Sequence, residues 1–197
     1  MRNKRVKEMA LYAVFIALIA IESFTPIGFI PIGTSSITTL HVLVILMAFL
    51  TDTKGGFVAG LTFGICSLLR AVIAPASATD ILFRNPLVSI LPRVIFGLLA
   101  GLTASYLNKK FGDSLAKKTV LIVVSSVVLT FIHTALVLPM MYLFAPSIPE
   151  FSNFWNENTF IVFFWGVLVA NGFLEMLVAG IIVPICTIPL NKVMERV

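Results

Sequence analysis

The sequence predicts an all-α fold: one integral-membrane domain over residues 1–197, built as a bundle of six transmembrane helices with both termini in the cytoplasm. Three observations carry this. The chain is 59% apolar and only 12% charged, against roughly 45–50% and 25% in a soluble domain. Its apolar runs alternate with short polar breaks. Its positive charges gather on alternate breaks. A soluble fold of this composition would expose large apolar patches and aggregate, whereas in a bilayer the same surface is already in its preferred solvent. A helix needs about 20 apolar residues to cross, so six spans with short loops consume most of the chain and leave no room for a soluble domain.

The first run, residues 6–24, follows a basic start at Arg2, Lys4, Arg5 and Lys7. A secretory leader begins the same way, but no small-residue cleavage site follows Glu22, and the next stretch is bulky and proline-rich, so the run reads as a span. Ala10, Ala13, Ala17 and Ala20 recur along it on one narrow stripe. Small stripes let helix backbones approach closely, so this one either packs inside the bundle or docks another protein.

The second run, residues 40–50, is 11 residues long. A helix there covers about 16 Å, well short of a hydrocarbon core of about 30 Å. Residues 34–39, before it, are polar but uncharged. At membrane depth their hydroxyls and backbone groups must face protein or a water-filled cavity rather than lipid; at the surface they form an ordinary loop. The short helix favours the cavity, opening outward.

Asp52-Thr53-Lys54-Gly55-Gly56 is turn chemistry leading into the third run, residues 55–73, where Gly56, Gly60 and Gly64 repeat every fourth position. Residues 69–86 follow, with Arg70, Pro75, Asp80, Arg84, Asn85 and Pro86. Such a segment exceeds an ordinary helix–helix connection of about 2–8 residues and has the character of a lid or binding loop. The fourth run, residues 87–107, carries Gly97 and Gly101, and Phe111-Gly112-Asp113 breaks it from the fifth, residues 120–144. The sixth covers residues 159–189. Cys66 and Cys186 fall inside apolar runs as small buried residues, not placed for a disulfide or a metal.

With the N-terminus in the cytoplasm, one side collects Arg2, Lys4, Arg5, Lys7, Lys54, Lys109, Lys110, Lys117, Lys118, Lys192 and Arg196, which is 11 of the 14 basic residues. Only Arg70, Arg84 and Arg93 lie elsewhere, and the opposite loops carry Asp80, Glu150 and Glu157. The positive-inside rule then places both ends in the cytoplasm and requires an even number of spans.

Ionisable and strongly polar residues within spans are costly and mark function. Arg93 follows Pro92 at the outer start of the fourth span; it contacts a ligand, snorkels to the interface, or pairs with Glu175. Asn171 and Glu175 stand four apart in the sixth span and share a helix face, which suits pocket lining; a hydrogen bond to a neighbouring helix is the plainer role. His41 opens the short second helix. His133, alone in the fifth span, reads as core. Glu22 and Arg70 lie near the interfaces, where charge is cheap, and Trp155 and Trp165 fit an aromatic belt. A pocket of Thr38, His41, Asn85, Arg93, Asn171 and Glu175 would suit a small polar solute. Arginine offers a bidentate fork to a carboxylate, although Glu175 adds a competing negative charge.

Several strings together resemble the substrate-binding S components of energy-coupling factor (ECF) transporters, over almost the whole chain. They are Ala13-x-x-x-Ala17 in the first helix, Thr39-Leu40-His41 opening a short second, and Gly55-Gly56-Phe57-Val58-Ala59-Gly60 beginning the third. The most specific is Phe83-Arg84-Asn85-Pro86-Leu87-Val88-Ser89-Ile90-Leu91-Pro92-Arg93, similar to the pantothenate-type subgroup. The resemblance implies an extracellular vitamin site, with pantothenate first and a thiamine precursor, folate or another small solute still open. It implies no cofactor and no ATPase in this chain, and partnership with a membrane T component and two cytoplasmic ABC ATPases in a prokaryotic plasma membrane. It further implies that Ala13 and Ala17 dock the T component, that the loop containing Thr34, Ser35 and Ser36 is a gate, and that the subunit topples to release its cargo.

No Gly-x-x-x-x-Gly-Lys-Ser/Thr phosphate loop is present, so energy comes from a partner or an ion gradient. A stand-alone ion-coupled transporter would use Glu175 as its deep carboxylate; the spans lack the internal repeat common in that class. A membrane-embedded enzyme would need His41, His133 and Glu175 as a metal triad, without the His-Glu-x-x-His pairing that usually builds one.

Overall fold

A computed structural model describes residues 2–32, 35–75, 78–110, 115–147 and 160–196. The architecture is helical apart from one small ribbon. Helix α1 (Arg2–Ser23) leads to an antiparallel pair, β1 (Phe29–Ile32) and β2 (Ser35–Thr38), then α2 (Leu40–Leu50) and α3 (Thr53–Ile73). A 3-10 segment (Ala78–Arg84) and a single turn α4 (Pro86–Ser89) precede α5 (Leu91–Lys110) and α6 (Leu115–Phe144). After a short 3-10 turn (Ala145–Ser147), α7 (Phe160–Val167) continues through a π turn (Leu168–Gly172) into α8 (Phe173–Arg196).

Among the described residues, four helices are long and apolar enough to cross a bilayer: Thr53–Ile73, Pro86–Lys109, Leu115–Phe144 and Phe160–Met194. Helix α2 is too short, as its 11 residues foretold. Helix α1 is long, but its charged first turns dilute its apolar length. Several helices outrun the apolar runs that mark them. Helix α6 starts at Leu115 rather than 120, through Lys117 and Lys118, because backbone hydrogen bonding continues in water where hydropathy no longer reports it.

Helix α2 is the hub. All its side chains but Leu43 are buried, the expected place for a helix apolar all round. Phe15 and Ile19 of α1, Ala59 and Phe63 of α3, Phe96 and Ala100 of α5, and Ala179 and Val183 of α8 close around it. Asp52 makes the tight α2–α3 turn by accepting the Lys54 and Gly55 amides at 2.9 and 3.1 Å, an N-cap. A second cluster, including Leu82, Val88, Val137, Met141 and Phe163, fills the bundle end that carries the 3-10 segment.

The glycine stripes lie inside. A Cβ on Gly97 would strike the Gly56 carbonyl and stand 2.9 Å from the Gly60 Cα, and one on Gly101 would stand 2.6 Å from the Thr53 Cα. Helices α3 and α5 therefore touch backbone to backbone, which only glycine permits. Elsewhere the periphery is apolar: Ile21, Ile73, Leu143, Val169 and Ile185 are all well exposed, as suits a lipid-facing surface.

The ribbon departs from a purely helical expectation. Phe29 pairs with Thr38, Ile30 with Ile37, Pro31 with Ser36 and Ile32 with Ser35. A lone two-stranded ribbon is marginal in water, so this one depends on its mooring. At its base, Thr38 Oγ1 donates to the Gly28 carbonyl at 3.1 Å and the Thr39 amide to the same oxygen at 3.3 Å. Thr39 Oγ1 donates to Glu22 at the end of α1 and to the Ile27 carbonyl at 2.9 Å.

Candidate functional site

The ribbon base, the first turns of α2 and α5, and the middles of α3, α6 and the α7–α8 rod meet at one place. Arg93, two residues into α5, is brought there by the glycine seam: Gly60 leaves room for the Arg93 carbonyl to lie against α3. Its side chain is 2% exposed. Nη1 donates to the Val88 carbonyl at 2.6 Å, taking up an acceptor left open at the end of α4. The guanidinium carbon lies 4.6 Å from the Phe83 ring centre and 5.3 Å from that of Phe63, close enough for cation–π attraction. Nε, buried, has no hydrogen-bond partner.

Beside it stand the two histidines. The rings of His41 and His133 stack at 5.9 Å with their planes 12° apart. His133 also abuts Phe63 at 5.6 Å and Phe96 at 4.8 Å. Among the described residues, both His41 nitrogens and His133 Nδ1 are buried without a hydrogen-bond partner. His133 is buried, as a core residue would be, with its ring against those of His41, Phe63 and Phe96. Nothing in the local sequence around either histidine signals that α2 and α6 face each other here.

The third side comes from the rod. Asn171 and Glu175 are both buried. The intervening backbone is not a plain α-helix: the Phe173 amide bonds the Leu168 carbonyl five residues back, the π pattern. Such turns recur at functional sites because they re-aim side chains. Glu175 Oε1 accepts the Thr38 amide at 2.7 Å, so the carboxylate meets the ribbon; Arg70 and Asp80 form an ion pair between α3 and the 3-10 segment.

The remaining candidates fall around this core. Asn85 is half-buried, and its Oδ1 accepts the Leu87 amide at 2.9 Å, capping α4 ahead of Pro86. Ser35 and Ser36 lie in β2; Thr34 lies outside the described residues. Ala13 and Ala17 face outward from α1, on the opposite side from buried Phe15 and Ile19. Among the described residues, no three His, Cys, Asp or Glu side chains gather as for a metal ion.

What this arrangement can do follows from its unmet atoms. A buried polar group without a partner costs about 1–3 kcal/mol, and native proteins keep few of them. Here Arg93 Nε, His41 Nδ1 and Nε2, and His133 Nδ1 fall in one neighbourhood. Arg93 can only donate; a neutral imidazole donates at one nitrogen and accepts at the other. The complementary occupant is a small molecule with an anionic or strong acceptor group beside hydroxyl or amide groups.

The comparisons with known proteins agree in kind. The family model described as "ECF transporter, substrate-specific component" matches residues 7–187. Over 119 residues the chain is 29% identical to the Pantothenate transporter PanT of Leuconostoc mesenteroides subsp. mesenteroides, a match covering 57% of this chain and 58% of that relative. With nearly its whole length accounted for in this way, the chain belongs to the family of ECF transporter substrate-specific components.

Proposed function

We propose that the chain is the S component of an ECF-type importer and that it captures pantothenate from outside the cell, in the plasma membrane of a prokaryote. The observation that carries the reading is the set of unpartnered buried nitrogens on Arg93, His41 and His133. Pantothenate brings a carboxylate, an amide and hydroxyls. Its carboxylate meets the free edge of Arg93, where a charge-assisted hydrogen bond is strongest. Its hydroxyls and amide answer the imidazoles, Thr38, Asn85, Asn171 and Glu175. The name of the PanT relative supports the choice of vitamin.

In this reading α1 and α2 complete a six-span bundle with both ends in the cytoplasm. The ribbon is the gate over an outward-facing site, with Ser35 and Ser36 in its second strand; Thr34, the remaining gate residue, lies outside the described residues. The chain binds without ATP and delivers its cargo only with a T component and two cytoplasmic ATPases. Ala13 and Ala17 offer a flat, exposed strip of α1 on which a partner helix can lie close.

The test is binding by the purified protein. Against a panel of vitamins, pantothenate should raise the melting temperature without ATP or metal, since a ligand specific to the folded state stabilises it by mass action. Stabilisation by a different vitamin alone would overturn the cargo. Uptake driven by an ion gradient through this chain alone, in liposomes, would overturn the S-component role.

A further inference from the structure

Arg70 takes no part in the site just described, yet its side chain touches both of the segments above it. It sits in the last turn of α3, where a cation suits the helix dipole. Its guanidinium carbon lies 4.0 Å over the ring centre of Phe29, the first residue of β1. Its Nη1 lies 3.3 Å from Asp80 Oδ2 in the 3-10 segment. Both side chains are more than nine-tenths buried. A guanidinium can serve two such partners at once, because its flat face stacks on a ring while its edge binds a carboxylate.

Each segment has its own second anchor. The ribbon is tied to α8 through Thr38 and Glu175. The 3-10 segment is tied down by buried Leu82 and by Arg84 Nε donating to the Ala71 carbonyl at 3.1 Å. Phe29 also reaches inward, its ring 6.5 Å from Phe63, which lies beneath Arg93 and against His133. Arg70 thus stands at the junction of the ribbon, the 3-10 segment and the floor of the site.

We propose that Arg70 is a positioning residue that clasps the ribbon and the 3-10 segment into a single gate, so that a ligand leaves only when both lift together. This rests on the reading of the ribbon as a gate over a substrate site. Without the clasp, each segment opens on its own anchor and the site leaks.

Hydrogen exchange of the full chain in lipid nanodiscs, without ligand, tests the clasp directly. Asp80→Asn removes the ion pair from the 3-10 side and leaves the ribbon sequence untouched. Faster exchange in the ribbon residues, as well as in the 3-10 residues, is the expected result. Loosening confined to the 3-10 segment, or no change, overturns the proposal. Arg70→Ala should loosen both segments, and Arg70→Lys, which keeps the charge but not the flat fork, should do so in part; the milder variant serves if alanine prevents folding. With pantothenate bound, Asp80→Asn should raise the dissociation rate about tenfold while changing the association rate by no more than about twofold, the signature of a local opening. An unchanged dissociation rate also overturns the clasp. If wild-type protein binds no pantothenate, the proposed function falls, while the exchange experiment still decides whether Arg70 couples the segments.

Discussion

Helices α3 and α5 carry two regions built on opposite terms. Along their seam, Gly56, Gly60, Gly97 and Gly101 bring backbone against backbone with no room for a single carbon. Toward the ribbon, the same helices contribute Phe63, Arg93 and Phe96 to a cluster in which several side-chain nitrogens lack partners. The seam is close-packed backbone; the cluster holds buried side-chain nitrogens without partners. Nor are they independent, since Gly60 makes space for the backbone of Arg93. The packing of the seam therefore also fixes where the unpartnered nitrogen of Arg93 lies.

Substitution in the seam should have the largest effect. Gly97→Val puts side-chain atoms against the Gly56 carbonyl and the Gly60 Cα, and backbone cannot swing aside as a flexible side chain can. Folding should be lost: little monodisperse protein recovered in detergent, and no ligand response. Normal yield and melting temperature would mean the helices can separate, and the rigid-seam side of the comparison fails.

Next comes Arg93→Ala. The loss of a charge-assisted hydrogen bond to a carboxylate should weaken pantothenate binding about a hundredfold, roughly 3 kcal/mol. The melting temperature should fall as well, because the Val88 carbonyl loses its donor. Calorimetric titration checks the first effect. Unchanged affinity would remove Arg93 from the pocket and leave it a structural tie for α4.

The sequence tells these regions apart unevenly. The glycine repeat is legible because it is local: positions four apart on one helix share a face. Helix α2 is legible to the residue, because every side chain in it except His41 is apolar and its flanking residues, Thr39 and Thr51, are not. Ribbon pairing is not legible. Pro31 disfavours a strand, and β2 is a short polar run, so what holds the pair is tertiary: Phe29 under Arg70 and Thr38 against Glu175. The π turn leaves no mark in the hydropathy pattern either, since Leu168–Gly172 lies within one continuous apolar run. Arg93, Asn171 and Glu175 stood out because charge and amide are rare in spans. The stacking of His133 on His41 is not legible, because the two residues lie on different helices.

Ala13→Trp combined with Ala17→Trp separates binding from delivery. Both positions face away from the core, so the melting temperature and pantothenate affinity should hold. Assembly with a T component, followed by co-purification, should fail, and uptake in cells with it. Assembly and uptake that both survive would remove the alanine strip as a docking face.

His133→Phe probes the comparison most finely, because it asks whether the cluster is built for stability or for a ligand. Among the described residues, His133 Nδ1 has no hydrogen-bond partner and is buried beside Phe63, Phe96 and His41. Phenylalanine has a similar shape and no polar atom to satisfy, and such exchanges are neutral or stabilising. The ligand-free melting temperature should therefore hold or rise. Affinity for pantothenate should drop about tenfold, the equivalent of one neutral hydrogen bond. A fall in both would mean that His133 is structural, as its position alone in the fifth span first suggested. A rise in stability with a fall in affinity would show the unmet nitrogen is kept for the ligand, at the expense of the empty fold.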